Sequence, residues 1–224
     1  YRTAWDFTQK NESWVRKMLT VTGVRTWKEL QGISCIDIEE LPQKKSICTS
    51  RSFADQGLSE LTQVEEAVAN FAASCSRKLK EQKSCCSSMT VFAYTSRFRM
   101  DLPSHAINRT VTFPVPTNDQ QELAASAVRA LRSEWRKGNT YLYKKAGVIV
   151  WDICPDSAIQ TNLFDTIDRE KQARLAAAID AINRKNGYNT VKVAVQGNGK
   201  SWHLKCEHIT RQYTTNLKEI IQVK

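Results

Sequence analysis

The spacing of apolar side chains alternates along the chain between the period of a helix and the period of a strand. Between residues 46 and 155 it predicts, in order, a strand, a helix, two strands, a second helix and a last strand. In both predicted helices apolar residues recur every three or four positions, as on a helix with one buried face. The two stripes consist of Val64, Val68, Phe71, Cys75 and Leu79 in the first helix and Leu123, Ala127, Leu131 and Trp135 in the second.

The strand patterns indicate how the layers pack. In the third predicted strand, Val111, Phe113 and Val115 alternate with threonines, so one face is buried and the other is wet. The fourth is apolar almost throughout, as expected of a central strand. The order predicts an α+β domain of the split βαββαβ, ferredoxin-like type, with both helices on one face of an antiparallel sheet and the other face open. The predicted strands are 47–53, 89–95, 110–115 and 146–153.

The ends of the two helices carry local signals. Thr62 and Glu65 have the spacing of a capping box at the start of the first helix. Asn118 is placed to cap the second helix, and Gly138 is placed to end it.

Shorter segments precede this domain. Residues 1–34 predict two short helices, broken at Gly23 and stopped at Gly32, which are too small to fold alone and are typical of the end of a preceding domain. Residues 35–45 are charged, contain a proline and predict a linker. The chain begins at Tyr1 rather than at methionine, so we expect it to be a piece of a longer protein.

The C-terminal residues, 169–224, predict a small α/β segment. Its helix would turn Leu175, Ile179 and Ile182 inward. The predicted elements are this helix at 169–185, ended by Asn186-Gly187, and two strands at 191–195 and 201–206 around a turn at 197–199.

The composition points to a polyanionic partner. The chain has 33 Lys and Arg against 23 Asp and Glu, a net charge of +10 and a pI near 9.3. The excess is spread over the chain, which indicates a folded basic surface and favours nucleic acid over a membrane. No apolar run approaches the roughly 20 residues of a membrane helix, and no signal peptide opens the chain.

The cysteines do not form a metal or disulfide pattern. There are seven, scattered and without a C-x-x-C pair, which is typical of reduced thiols in a cytosol. His203, Cys206 and His208 lie within six residues on a predicted strand and its exit. That spacing is poor for a tetrahedral site, so we expect no metal there.

Hydroxyl and cationic side chains gather near the predicted strand ends. Short hydroxyl donors and long cations both suit phosphate oxygens, which favours a surface that binds a nucleic-acid backbone without reading its bases. Taken singly, each residue is also explained by an ordinary solvated sheet face. The predicted open-face set is Thr49, Ser50, Arg51, Thr95, Ser96, Arg97, Arg109, Thr110, Thr112, Lys144 and Lys145.

Residues 160–164, Gln-Thr-Asn-Leu-Phe, place an apolar pair on a polar tether. Such a pair is typical of a peptide that binds a groove, in which two side chains fill a pocket and a glutamine amide fixes the register. In the alternative, these residues form a helix-entry loop whose Leu163 and Phe164 fold back into the core. The pattern alone leaves both readings open.

Several strings across the chain occur in an order that resembles one known family. They are Lys28-Glu29-Leu30-Gln31-Gly32, Cys35, Glu39-Glu40, Ile47-Cys48-Thr49-Ser50-Arg51-Ser52-Phe53, Tyr143-Lys144-Lys145-Ala146-Gly147-Val148, the peptide 160–164, and Arg211-Gln212-Tyr213-Thr214-Thr215. Together they resemble the C-terminal part of the Y-family translesion DNA polymerases, in the UmuC branch to which the catalytic subunit of DNA polymerase V belongs. The resemblance covers nearly the whole chain.

The resemblance implies a division of the chain. Residues 1–34 would end the thumb, and 35–45 would form the linker to a little finger. The little finger at 46–155 would lay its open sheet face along the template-primer duplex. Residues 156–168 would hold the clamp-binding peptide, and 169–224 would be an accessory segment of this branch.

The resemblance also implies partners and a setting. The partners would be damaged template-primer DNA, the β sliding clamp, a UmuD-type accessory protein and the RecA filament. Gln160, Leu163 and Phe164 would anchor the clamp. The setting would be SOS mutagenesis in the bacterial cytoplasm, at the nucleoid and away from membranes.

Catalysis is not expected of these residues. Polymerisation in this family needs carboxylates that hold two magnesium ions, and the resemblance places them in an N-terminal palm. Asp55, Asp101 and Asp152 are scattered without a pairing signature, so none is assigned a catalytic role. We expect no cofactor in this chain and no polymerase activity from it alone, although its parent would use Mg²⁺.

Two other functions compete with the DNA-holding one. The same βαββαβ order builds the RNA-recognition fold, but the third strand lacks the aromatic pattern that stacks RNA bases, and its wet positions are threonines. The chain could also be an interaction scaffold that uses the C-terminal segment and ignores nucleic acid.

Overall fold

The computed structural model describes residues 2–36, 44–54, 57–136, 138, 140–198, 202 and 209–221. The chain divides into two compact units, Tyr1–Gln43 and Lys44–Lys224. Most of the predicted linker at 35–45 lies outside the described residues.

The first unit contains two helices, α1 at Ala4–Thr8 and α2 at Glu12–Glu29. The indole Nε1 of Trp27 donates a hydrogen bond to the carbonyl of Thr8 over 3.1 Å, which ties α2 to the end of α1.

The predicted helix break at Gly23 is wrong by three positions. Helical geometry fails at Thr20, where φ is 62°. Gly23 itself is helical, and a Cβ there would collide with the side chain of Leu19. The glycine therefore makes room for a neighbour, while the predicted stop at Gly32, with φ of 83°, is confirmed.

The second unit contains the predicted βαββαβ order. All four strands are antiparallel to their neighbours in the sheet order β1-β4-β2-β3. The elements are β1 at Ser46–Ser52, α3 at Leu61–Glu81, β2 at Ser84–Thr95, β3 at Ala106–Thr117, α4 at Gln120–Glu134 and β4 at Tyr143–Pro155.

This strand order confirms the α+β class and the split arrangement. β1 and β2 run in the same direction with β4 between them, and β3 and β4 run in the same direction with β2 between them. The ferredoxin sheet proper has its first and third strands at the centre, whereas β2 and β4 are central here. The likeness lies in element order and layers, and the prediction of a central last strand is confirmed.

Both helices cover one face of the sheet. Every residue of the α3 stripe is buried, and in the α4 stripe only Trp135 is partly exposed. Full burial of an aliphatic or aromatic side chain contributes roughly 1.5–3 kcal/mol, so these stripes fix the helices to the sheet.

The predicted caps are wrong. α3 begins at Leu61, so Thr62 already lies inside the helix and caps nothing. Glu65 is buried, and its carboxylate accepts two hydrogen bonds from the Arg132 guanidinium at 2.5 and 2.9 Å, which ties α3 to α4. Thr62 and Glu65 have the spacing of a capping box, but Glu65 serves the tertiary contact with Arg132 instead of capping the helix.

The start of α4 is capped one residue later than predicted. The Asp119 carboxylate accepts from the backbone N–H of Glu122 over 2.8 Å. The Asn118 side chain instead donates to the carbonyl of Ser84 over 3.0 Å, which ties the helix start to β2. α4 ends at Glu134, before the predicted stop at Gly138.

The C-terminal segment is less regular than predicted. Helix α5 spans Arg169–Asn186, and Asp168 caps it, but Leu175 and Ile182 are 46% and 41% exposed rather than turned inward. The predicted strand at 191–195 is wrong, since Ala194–Gln196 form one turn of 3₁₀ helix. Within 201–206 only Trp202 is among the described residues.

This segment packs on the helix-covered side of the domain, against α3, α4 and Arg51 of β1. Its ion pairs join Arg169 to Glu122 at 2.7 Å and Lys80 to Asp180 at 2.9 Å. The Trp202 ring lies edge-on to Phe71 with 5.6 Å between centroids. Among the described residues, no helix is long and apolar enough to cross a membrane.

Candidate nucleic-acid interface

The strand register assigns each candidate to one face of the sheet. Successive side chains on a strand point to opposite faces, and directly paired residues share a face. Ser50 pairs with Gly147, while Thr49 pairs with Val148, which is buried beneath the helices. A run of three consecutive residues therefore cannot line one face.

Two candidates on β1 turn toward the helices, contrary to prediction. The Thr49 hydroxyl accepts from the Lys78 ammonium at 3.2 Å and lies 3.4 Å from the Cys75 thiol. The Arg51 guanidinium lies 5.8 Å from the centroid of the Trp202 ring. Both side chains belong to the packing between β1, α3 and the C-terminal segment.

The same correction applies on the other strands. Buried Thr95 donates its hydroxyl to the carbonyl of His105 over 3.3 Å. Arg109 pairs with Val91 of the core face, and its guanidinium lies 3.5 Å from Glu134 at the end of α4. Lys144 donates to the carbonyl of Phe53 over 2.7 Å, on the side where Ala146 is buried.

The remaining strand candidates do lie on the open face. These are Ser50, Thr110, Thr112 and Lys145, as their pairing with open-face partners shows. Ser96 and Arg97 lie beyond the end of β2, in the loop to β3, where Arg97 is exposed.

The prediction missed the aromatic side chains of the open face. Phe92 and Tyr94 lie on β2, with ring centroids 5.9 Å apart and planes inclined by 16°. Trp151 lies on β4, and its indole N–H donates to the Thr90 hydroxyl over 3.1 Å. The sequence contains the signal. From 89 to 94 the core-facing residues Met, Val and Ala alternate with Thr, Phe and Tyr, so both aromatic residues fall on the opposite face.

Gly147 is part of this face. It pairs with Ser50 on one side and Phe92 on the other. A Cβ at this position would collide with the ring of Phe92 and with the Cβ of Ser50. The absence of a side chain lets the Phe92 ring lie across β4.

The loop between β2 and β3 is closed at its base and exposed at its tip. Thr95 and His105 exchange backbone and hydroxyl hydrogen bonds of 3.0 to 3.3 Å. The Arg99 guanidinium donates to Asp101 at 2.8 and 2.6 Å and lowers the pKa of that carboxyl to about 2. Phe98 and Met100 are both 94% exposed.

The Leu-Phe peptide projects from the domain. Leu163 is 93% exposed and Phe164 is 86% exposed, so the alternative in which they fold back into the core is wrong. The Asn162 amide oxygen accepts from the backbone N–H of Phe164 over 2.9 Å, and Gln160 is exposed. The peptide has the exposure that groove binding needs.

The described residues contain no group of three or more His, Cys, Asp or Glu that could hold a metal ion. Asp101 is engaged by Arg99, and Asp152 accepts from the Ser88 hydroxyl over 3.2 Å. Asp55 and the group His203, Cys206 and His208 lie outside the described residues.

Comparison with known proteins decides the family. Residues 44–163, which include the whole sheet, match the impB/mucB/samB family C-terminal domain. The chain belongs to the impB/mucB/samB family. Residues 173–223 match a domain of unknown function, DUF4113.

The similarity to members of this family extends beyond the matched domain. The chain is 33% identical to protein UmuC of Salmonella typhimurium over 225 residues, which is 100% of the chain and 53% of the relative. It is 34% identical to protein ImpB of Salmonella typhimurium over 220 residues, which is 97% of the chain and 51% of the relative. It is 33% identical to protein MucB of Escherichia coli over 221 residues, 98% of the chain and 51% of that protein. The predicted resemblance is confirmed, and the chain spans about half the length of these relatives.

Proposed function

We propose that this chain is the non-catalytic C-terminal part of an error-prone translesion DNA polymerase, and that it holds template-primer DNA on the open face of its sheet. The observation that carries the proposal is the four-stranded sheet of this family, covered by α3 and α4 on one face and left open on the other. One solvated face is common in antiparallel sheets, and here it leaves a broad surface, free of covering helices, on which an extended partner such as a duplex can lie.

The chemistry of the open face supports a phosphate backbone as ligand. The short side chains of Ser50, Thr110 and Thr112 carry hydroxyls that can donate hydrogen bonds to phosphate oxygens. Lys145 and Arg97 supply positive charge near the end of β2. The net charge of +10 favours association with a polyanion. Such contacts position DNA and carry little sequence information.

The test is the salt dependence of duplex binding. For the full chain we expect sequence-independent binding of a primer-template duplex, with affinity that falls steeply as salt rises. Replacing Lys145 by alanine should weaken binding at low salt and reduce the salt slope by about 0.9, because one phosphate contact is lost. Fluorescence anisotropy over a range of salt concentrations measures both.

Lys171→Ala is the matched control, since it removes the same charge from the exposed surface of α5. It should leave the slope unchanged. If the chain binds no duplex, or if Lys145→Ala and Lys171→Ala behave alike, the sheet-face assignment is wrong. Tighter binding of single-stranded RNA than of any DNA would favour the RNA-binding alternative.

The second part of the proposal concerns Gln160, Leu163 and Phe164. Their exposure and their position just beyond β4 support docking of this peptide in an apolar groove of the β sliding clamp, with the side chains of Leu163 and Phe164 as anchors. Replacing both anchors by alanine should lower clamp affinity by at least tenfold, because the buried apolar area of the complex is lost.

The chain offers a matched control for this test. Leu217 and Phe98 are 85% and 94% exposed and lie far from the peptide in sequence, so the double change Leu217→Ala and Phe98→Ala removes the same side-chain types. Surface plasmon resonance with an immobilised bacterial clamp compares the two variants. Equal affinities for the clamp would remove the docking assignment.

The accessory segment at 169–224 is proposed to meet a UmuD-type protein and the RecA filament. The support is its position on α3 and α4, which leaves both the open face and the Leu-Phe peptide uncovered. A chain holding DNA and clamp at once could therefore present this segment to further partners.

A further inference from the structure

The open face carries an aromatic surface that phosphate binding does not use. Phe92 and Tyr94 are half-buried, lie next to each other on a central strand and have nearly parallel rings. Neither ring is part of the core, which lies on the opposite side of the sheet. Two aromatic rings side by side on the open face, near the hairpin end of β2, form an apolar surface that packing in the core does not explain.

The sheet leaves room for one of these rings at Gly147. Because Gly147 has no Cβ, the Phe92 ring lies against the backbone of β4. Glycine weakens a strand relative to alanine and often marks a place where a group approaches the backbone closely. Here the group that approaches is the ring itself.

The rings line an open cavity of about 680 Å³ at the end of the β2–β3 hairpin. Its wall includes the exposed Arg97 and the side chain of Asn108, which pairs with Phe92 on β3. Lys145 pairs with Tyr94 on the other side. The cavity thus has two aromatic rings, the cation Arg97 and an amide that can donate and accept hydrogen bonds, while Lys145 lies next to Tyr94 outside the cavity lining.

This combination fits an unpaired nucleotide better than a protein or a duplex. An apolar peptide would bury the cations Arg97 and Lys145 without compensation. The bases of a duplex are already stacked on each other, so they present only edges and cannot cover a ring. A nucleobase from a single strand can stack on an aromatic ring while its phosphates meet the cations.

We propose that Phe92 and Tyr94 form a stacking platform for unpaired bases of single-stranded DNA. This inference rests on the proposed function, because the same open face meets DNA. It adds a preference for unpaired bases, which contacts to phosphate alone cannot provide. Arg97 and Lys145 bind the flanking phosphates, and Asn108 contacts the base edge.

The test compares two single strands that differ only in their bases. One is an oligothymidylate of about 12 nucleotides, and the other has the same length and phosphates but abasic residues throughout. Fluorescence anisotropy with the full chain should give at least about fivefold tighter binding of the oligothymidylate, since stacking contributes about 1–3 kcal/mol per base. This comparison needs no variant, so misfolding cannot obscure it.

The double variant Phe92→Leu and Tyr94→Leu should bind both strands equally, with the affinity for the abasic strand unchanged. Leucine keeps an apolar side chain at both positions and removes the two aromatic rings together with the Tyr94 hydroxyl. Tyr188→Leu is the matched control, because Tyr188 is an exposed ring beside Arg77 on the helix side, and it should retain the preference. Thermal melting checks that both variants are folded.

Two results would overturn the platform. One is equal binding of the two strands by the wild-type chain, and the other is a preference that survives in the Phe92→Leu, Tyr94→Leu variant. If duplex binding sensitive to Lys145 persists alongside either result, only the platform is wrong. If no DNA binds at all, the proposed function is wrong as well.

Discussion

At the scale of single residues, a shift of one position along a strand decides between two roles. Ser50 lies on the open face, while its neighbours Thr49 and Arg51 contact the helices and Trp202. Residue type alone could not distinguish these positions, since threonine and arginine bind phosphate as well as serine does. The physical cause is the two-residue period of side chains on a strand.

His105 gives a pH-dependent prediction at this scale. Its Nδ1 lies 2.9 Å from the Tyr143 hydroxyl at the base of the β2–β3 loop. Desolvation, with a smaller contribution from Arg136, lowers the pKa of His105 below its usual 6.5, against the opposing effect of Glu134. As pH falls from above 6.5 through the lowered folded-state pKa, the unfolded chain takes up its proton at this residue before the folded chain does, so folding is weakened over that range.

We expect the melting temperature to fall between pH 7.5 and pH 5.5 by more in the wild type than in His105→Gln, which has no titrating ring. Differential scanning calorimetry measures both proteins at both pH values, and the difference between them isolates His105 from the carboxylates. A larger fall in His105→Gln would mean that protonation strengthens the loop base.

At the scale of elements, α4 and α5 begin with the same kind of aspartate cap, but only α4 depends on burial in the core. Asp119 caps α4, whose apolar stripe is buried, and Asp168 caps α5, in which no residue is buried. Each carboxylate accepts a hydrogen bond of 2.8 or 2.9 Å from the first turn of its helix. Removing the two caps should therefore change different measured quantities.

Asp119→Ala should lower the free energy of global unfolding by about 1 kcal/mol, because α4 unfolds only with the domain. Asp168→Ala should leave the urea midpoint nearly unchanged and speed amide exchange within α5, because that helix can open by itself. Urea denaturation and hydrogen exchange separate the cases. If Asp168→Ala shifted the global midpoint as far as Asp119→Ala, α5 would belong to the cooperative core.

At the scale of the whole molecule, the described part of the second unit keeps three surfaces apart. The open sheet face, the exposed Leu-Phe peptide and the segment on α3 and α4 share no residue. The segment is held by polar contacts around Gln196, which is 2% exposed. Gln196 exchanges hydrogen bonds of 2.8 and 3.2 Å with Asn70 and accepts one of 2.8 Å from the Gln120 amide. Buried amides are stable only when paired, so these contacts specify one position for the segment.

This arrangement explains why charge alone did not locate the interface. The net charge of +10 belongs to the whole chain, and the predicted cations Arg51, Arg109 and Lys144 turned out to lie on the helix-facing side of the sheet, near Trp202, Glu134 and the Phe53 carbonyl. On the described open face the more distinctive chemistry is aromatic. A basic composition therefore indicated the class of partner, while the fold decided where that partner can bind.

The sequence by itself determined the element order of residues 46–155, the buried stripes of α3 and α4 and the family, because these depend on local periodicity and on strings of adjacent residues. Only the tertiary structure decided which candidates share the open face, that Glu65 pairs with Arg132 rather than capping α3, and that Leu163 and Phe164 point away from the core. Strand order and register join residues far apart in the chain. No local pattern contains that information, and a register shifted by one residue would exchange the two faces.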